Sequence, residues 1–324
     1  MKQSSIPVRA GFILIAILSS ACNQPFDPKG PFEEQLVLYS ILSTHRDAQY
    51  VRVYQNYHPS GFDPLAQVED NGVRGAQVQI FAGQVPYPLK DTLLMRTDSS
   101  RYDAPIIAYV TRALRPEGGK TYTLRVSSPS LNPADATITL PQRGSLSIAR
   151  PSLLDFPGNY PKGTELILDG SFSRLTRGFV IRMIIEYTLL DDQRSETRRI
   201  EVPISFPDAQ FTYERGKYPT VIRATSLFAR ATFSVGGYLS TLAAVLNQYR
   251  TERIVFQRVV FSLLQTEENL FNYYNIVNGF QDSFSIRFDQ PLYSNIRGGI
   301  GLFGGYTLDS LVYPLPEDFA HNRR

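Results

Sequence analysis

From Gln35 onward, apolar residues recur at every second position in short runs separated by Gly, Pro, Asn and Asp. A strand with one buried face needs that period of two. Ala76, Val78 and Ile80 alternate with Gln77 and Gln79 behind the turn Asp70-Asn71-Gly72. Tyr122, Leu124 and Val126 alternate with Thr121, Thr123 and Arg125 after Pro116-Glu117-Gly118-Gly119, and Ala136, Ile138 and Leu140 alternate with Thr137 and Thr139. Leu36 to Leu42 is apolar on both faces, as a central sandwich strand would be, and Gln49 to Tyr57 is rich in Val and Tyr. The repetition predicts an immunoglobulin-like antiparallel β-sandwich over residues 35–142, with Pro141-Gln142-Arg143-Gly144 as its boundary.

Residues 143–324 read as a β-rich C-terminal domain with two helices. Phe179, Ile181, Met183, Ile185, Tyr187 and Leu189 form one apolar face, with Arg182, Glu186 and Thr188 on the other. Asp191-Asp192-Gln193-Arg194 turns the chain, and Ile200, Val202 and Ile204 return an apolar face, which predicts a long hairpin. Leu239, Leu242, Ala243, Leu246 and Tyr249 sit at helical spacing. So do Leu270, Tyr273, Tyr274 and Val277, behind Thr266 as N-cap with Glu267 and Glu268 in the first turn. Arg253 to Leu264 between them reads as a strand.

The first residues have a different pattern. Lys2 and Arg9 precede the apolar run Gly11 to Leu18, too short for a bilayer core that needs about 20 residues. Small residues then lead to Cys22 in Leu18-Ser19-Ser20-Ala21-Cys22. Residues 1–21 are therefore expected to be a lipoprotein signal peptide and Cys22 the site of lipidation. Cys22 is the only cysteine, so it has no disulfide partner within the chain. Residues 22–34 carry three prolines and no apolar periodicity, and read as a tether.

Composition narrows the chemistry. The net charge of +3 is dispersed, which argues against nucleic acid. The 3 histidines, at 45, 58 and 321, form no ligand pattern, and no metal is expected. Gly299-Ile300-Gly301-Leu302-Phe303-Gly304 matches the G-x-G-x-x-G string, but no convincing helix follows and about 20 residues remain. Glycines that let a strand bend, or another element approach closely, are the better account, and no cofactor is expected. Asp191-Asp192 and Glu267-Glu268 have local explanations as a turn and a helix start, and no G-x-S-x-G elbow occurs. The chain reads as non-enzymatic.

The stretch from Tyr54 to Phe62 mixes aromatic and hydrogen-bonding side chains. Tyr54, Tyr57, His58 and Phe62 are the candidate contacts for a sugar, peptide or protein partner, because flat rings add contact area at small entropic cost. Strand-end aromatics covering a sandwich edge are the commoner reason for such a stretch.

Three segments also resemble a known family. Val73-Arg74-Gly75-Ala76-Gln77-Val78-Gln79-Ile80, Gly119-Lys120-Thr121-Tyr122-Thr123-Leu124-Arg125-Val126 and Tyr293-Ser294-Asn295-Ile296-Arg297-Gly298-Gly299-Ile300-Gly301-Leu302-Phe303-Gly304 are similar to the uncharacterised bacterial outer-membrane lipoproteins called domain of unknown function 4249. The resemblance implies a lipoprotein of the outer membrane, at the cell surface or on the periplasmic face. It also implies a role in nutrient uptake as ligand binder or accessory partner of a TonB-dependent transporter. A surface glycan or peptide hydrolase is the alternative, and would need two carboxylates converging in one deep cleft. A structural or adhesive surface lipoprotein would instead show exposed sheet edges or a flat aromatic patch.

Overall fold

The alternating runs named above fall on strands in the computed structural model, except that Val202 and Ile204 lie past the end of the strand that carries Ile200; the structure describes residues 32–58, 70–96, 105–191, 194–250, 252–278 and 293–316 together with Phe319. The N-terminal strands are β1 (Leu36–Ser43), β2 (Gln49–Gln55), β3 (Gln77–Ala82), β4 (Val85–Leu94), β5 (Ile106–Thr111), β6 (Thr121–Ser127) and β7 (Ala134–Thr139). Periodicity does not reveal β4, whose Pro86 and Pro88 look like strand breakers. Both prolines lie where β4 pairs only with β3. Its ladder to β5 begins at Lys90, opposite Val110. A missing N–H is harmless on an edge that nothing joins.

The remaining strands are β8 (Ser145–Ile148), β9 (Glu165–Ser171), β10 (Gly178–Asp191), β11 (Arg194–Glu201), β12 (Ile222–Arg223), β13 (Phe228–Ser234), β14 (Arg253–Thr266) and β15 (Gly299–Pro314). Helices α1 (Ser152–Asp155), α2 (Val235–Gln248) and α3 (Glu268–Asn278) complete the described elements. The fold is mostly β. A large sheet runs in the order β11-β10-β14-β15-β1-β2-β5-β4-β3-β6-β7, with β12 beside β10, and a second sheet runs β13-β9-β8. β1 is central in the sheet, but only one of its faces is covered: Leu36, Leu38 and Leu42 are buried, whereas Tyr39 and Ile41 on the other face are exposed. β1 is antiparallel to β2 and parallel to β15, the one parallel pairing among the described strands.

The large sheet curls so that its own faces pack together. Leu36, Leu38, Val51 and Val53 share a core with Val78, Ile80, Tyr122, Leu124 and Val126. The second core lies between β10 and β14 on one side and β9, β13 and α2 on the other, with Met183, Ile185, Phe261, Leu168 and Phe233 fully buried. Between residues 140 and 153 the side chains pass from one core to the other, while the sheet continues across. β15 serves both cores: Phe303 fills the first, and Leu311 and Tyr313 pack on the second. Gln35–Arg324 is accordingly one compact unit.

Three local expectations need correction. In α2 Leu242 is buried and Leu239, Leu246 and Tyr249 pack partly buried on the core, but Tyr238, Thr241 and Val245 are buried beside them and Ala243 faces solvent. Its cap is Ser234, whose hydroxyl accepts the Gly237 N–H at 3.0 Å. Thr266 does not cap α3, because it ends β14. Glu267 does so with its carboxylate, which accepts from the N–H groups of Asn269 (2.8 Å) and Leu270 (2.7 Å).

Glu186 was expected on a polar outer face but is only 1 % exposed. The register places it directly opposite Arg199 on β11 and Arg258 on β14, and it pairs with both. Burial works to raise its pKa, but the hydrogen bonds from Arg258 and Arg199 outweigh that and hold it below the ordinary glutamate value. A depressed folded pKa adds stability that is present above the unfolded value and lost as pH falls through the folded one. Because both arginines are solvent-screened, Glu186→Gln is expected to cost about 1–2 kcal/mol at neutral pH. In paired urea titrations that difference should shrink between neutrality and pH values below the ordinary glutamate range. A difference unchanged with pH would show that charge is not its source.

Candidate functional site

The side chains of β2 alternate between the core and a cavity. Val51 and Val53 point inward and are fully buried, so Arg52 and Tyr54 project from the opposite face, across from Tyr39 and Val37 of β1. Past β2 the chain is pinned on two sides. The Asn56 N–H donates to the Gln35 carbonyl at 3.1 Å, and the Gln55 N–H donates to the Asn71 carbonyl at 3.0 Å. Val73 returns a bond to the Val53 carbonyl at 2.9 Å, and Tyr54 bridges Gly72. These backbone bonds draw Asp70 and Asn71 alongside the end of β2. Arg96, just beyond β4, closes the group.

The resulting cavity has a volume of about 450 Å³. Val37, Arg52, Tyr54, Gln55, Asn56, Tyr57, Asp70, Asn71 and Arg96 line it. Arg96 donates directly to the Asp70 carboxylate, and both side chains are nearly covered. Arg52 stands 3.8 Å from the same oxygen, and its guanidinium carbon lies 4.4 Å from the centre of the Tyr54 ring. Burial lowers the Arg52 pKa from the arginine value, Asp70 opposes that shift, and Arg96 adds to it.

Of the candidate contacts named from sequence, Tyr54 and Tyr57 line this cavity. His58 is described and exposed but is not part of the lining, and Phe62 and Cys22 lie outside the described residues. The arginines and Asp70 were not foreseen as part of the site. Arg52 could have been found, since it shares the Tyr54 face by simple alternation. Arg96 and Asp70 carry no such signal, because loop geometry brings them in.

The glycine string forms no phosphate cradle. It lies in β15, where the backbone at Gly301 has φ of +119° and a Cβ there would stand 2.0 Å from the Leu38 carbonyl oxygen. The glycines permit close strand packing, as the residues alone suggested. Among the described residues no three His, Cys, Asp or Glu side chains converge as for a metal, and no helix is long and apolar enough to cross a membrane.

Residues 23–311 match the family described as Domain of unknown function (DUF4249). The chain belongs to this family. No curated protein matches it. For a DUF4249 member the useful facts are therefore internal ones: a β-rich scaffold, and beside β2 a cavity in which two arginines meet one carboxylate.

Proposed function

We propose that the chain is a non-enzymatic, lipid-anchored protein of the outer membrane that holds a ligand in the cavity beside β2 and serves a TonB-dependent transporter in nutrient uptake. One observation carries the binding role: aromatic, amide and charged side chains from three separate segments converge on a space large enough for a small ligand. Among the described residues of that lining Asp70 is the one carboxylate, and it is tied to Arg96. A hydrolase would need a second carboxylate facing the same space. The anchor is supported by the short apolar run and small residues before Cys22. The transporter partner is supported by the family resemblance alone.

Cys22→Ser tests the anchor. The variant is expected to move from the membrane fraction to the soluble fraction, since no acyl chain would hold it. Retention on the membrane would refute lipidation at this residue. Detergent extraction of the wild-type chain should then bring a transporter with it, and a protein that always emerges alone would count against the partner. Protease treatment of intact cells distinguishes the surface from the periplasmic face.

A further inference from the structure

The outer face of the small sheet β13-β9-β8 carries a groove of about 430 Å³. Leu168 and Phe233 turn inward and are fully buried, so the alternate side chains of β9 and β13 face out. Strand register sets these in two rows. Phe228, Ser171 and Ser145 stand side by side in one, and Arg230, Asp169 and Ser147 in the next. Strand spacing makes the patch about 10 Å wide across the strands and about 7 Å long. All three strands and the residues flanking them in the chain are described.

The polar groups of the groove keep bonding capacity in reserve. Arg230 donates from Nε to Asp169 Oδ1 at 2.8 Å and from Nη2 to Oδ2 at 3.2 Å, which fixes a planar pair with N–H groups and lone pairs to spare. Those bonds hold Asp169 below the ordinary carboxylate range, so it remains an acceptor at neutral pH. The Ser145 and Ser171 hydroxyls meet at 2.7 Å, which uses only one of their protons, and the Ser147 hydroxyl has no partner among the described residues. Phe228 is 71 % exposed, the most of any described Phe or Tyr, and covering it removes apolar area from water. A sugar meets all of these demands. Its C–H face covers a ring, and each hydroxyl both donates and accepts, as a carboxylate beside a guanidinium requires. The ion pair cancels its own charge, so an acid is repelled by Asp169 and a base by Arg230. A peptide adding as a strand needs the edge of β13 instead, where Ser226 Oγ already takes the Phe228 N–H at 3.1 Å.

We propose that this groove is a second binding site, for a neutral sugar whose ring lies on Phe228 and whose hydroxyls meet the Asp169–Arg230 pair and the serines. It is independent of the cavity beside β2. The test is calorimetric titration of the full-length chain, purified in detergent, with cellotetraose, maltotetraose, tri-galacturonate and N-acetyl-tetraalanine amide. At least one of the two neutral tetrasaccharides is expected to bind, with little change as salt is raised. Phe228→Ala should weaken that binding about 10-fold, and Asp169→Asn by about the same factor. Phe156→Ala removes an exposed ring outside the groove and should leave binding unchanged. Thermal unfolding without ligand shows whether each variant is folded. Sugar binding that survives both Phe228→Ala and Asp169→Asn lies elsewhere and overturns the site. Binding of tri-galacturonate or the peptide without either neutral sugar overturns the ligand class. If no probe binds, the proposal falls while the reading of the cavity beside β2 stands.

Discussion

Gly301→Ala is expected to cost about 3–5 kcal/mol of folding stability, from two additive sources. The first is conformational. With φ at +119°, the residue occupies a region that L side chains rarely adopt, which alone costs about 1–3 kcal/mol. The second is steric. The new methyl would stand 2.0 Å from the Leu38 carbonyl oxygen and 3.0 Å from the Leu38 N, both backbone atoms of the central strand β1. They cannot swing aside as a flexible side chain would, because Leu38 is itself paired to Gly301 on one side and to Val53 on the other. Gly75 gives the control: its φ is also positive, at +68°, but no atom lies within 4 Å of a Cβ there. Gly75→Ala should therefore show only the conformational cost. Urea midpoints for the two variants separate the terms, and equal losses would mean that the contact with β1 is not the cause.

Glu267→Ala should be nearly as harmful, at about 2–4 kcal/mol, from the lost cap together with buried donors left unmet. Its carboxylate accepts from four N–H groups. Oε2 takes the backbone and side-chain amides of Asn269 at 2.8 and 2.9 Å, and Oε1 takes the N–H groups of Leu270 at 2.7 Å and Gly305 at 3.3 Å. The Glu267 N–H in turn donates to the Gly305 carbonyl at 3.1 Å, so one residue starts α3 and fastens it to β15. Burial nevertheless pushes its pKa above the usual glutamate value, against those four donors. Glu267→Gln keeps one acceptor oxygen and avoids burying a charge, so it should recover about half of the loss. Denaturation of the two variants at neutral pH decides the matter. If glutamine proves as damaging as alanine, the carboxylate is not acting through the bonds described.

Much of this architecture was readable because burial imposes a period on the residues that undergo it. Ala76, Val78 and Ile80 had to alternate with glutamines whatever their partner strand, and they do. The alternation in β10 marked its inner face equally well. It failed on the outer face at Glu186, because the alternation of one strand says nothing about what stands opposite. Two arginines on neighbouring strands turned a supposed solvent position into a buried ion cluster. Helical spacing identified α2 and the core contacts of Leu239, Leu242, Leu246 and Tyr249, but only the sheet beneath decides that Tyr238 and Val245 are buried most deeply and that Ala243 faces out.

The candidate site divides in the same way. Tyr54 and its neighbour Arg52 follow from local alternation along β2. Asp70 and Arg96 join them through folding contacts over 18 and 44 residues, which composition does not encode.

By itself the sequence determined which segments become strands and helices, which face of most strands turns inward, and that the glycines near residue 300 serve packing. Only the tertiary structure decided that β15 enters beside β1, more than 250 residues away, and joins both cores through one continuous sheet. The physical reason is that side-chain burial leaves a periodic trace in each segment. The backbone hydrogen bonds that choose a strand's neighbour are chemically the same at every residue and leave none.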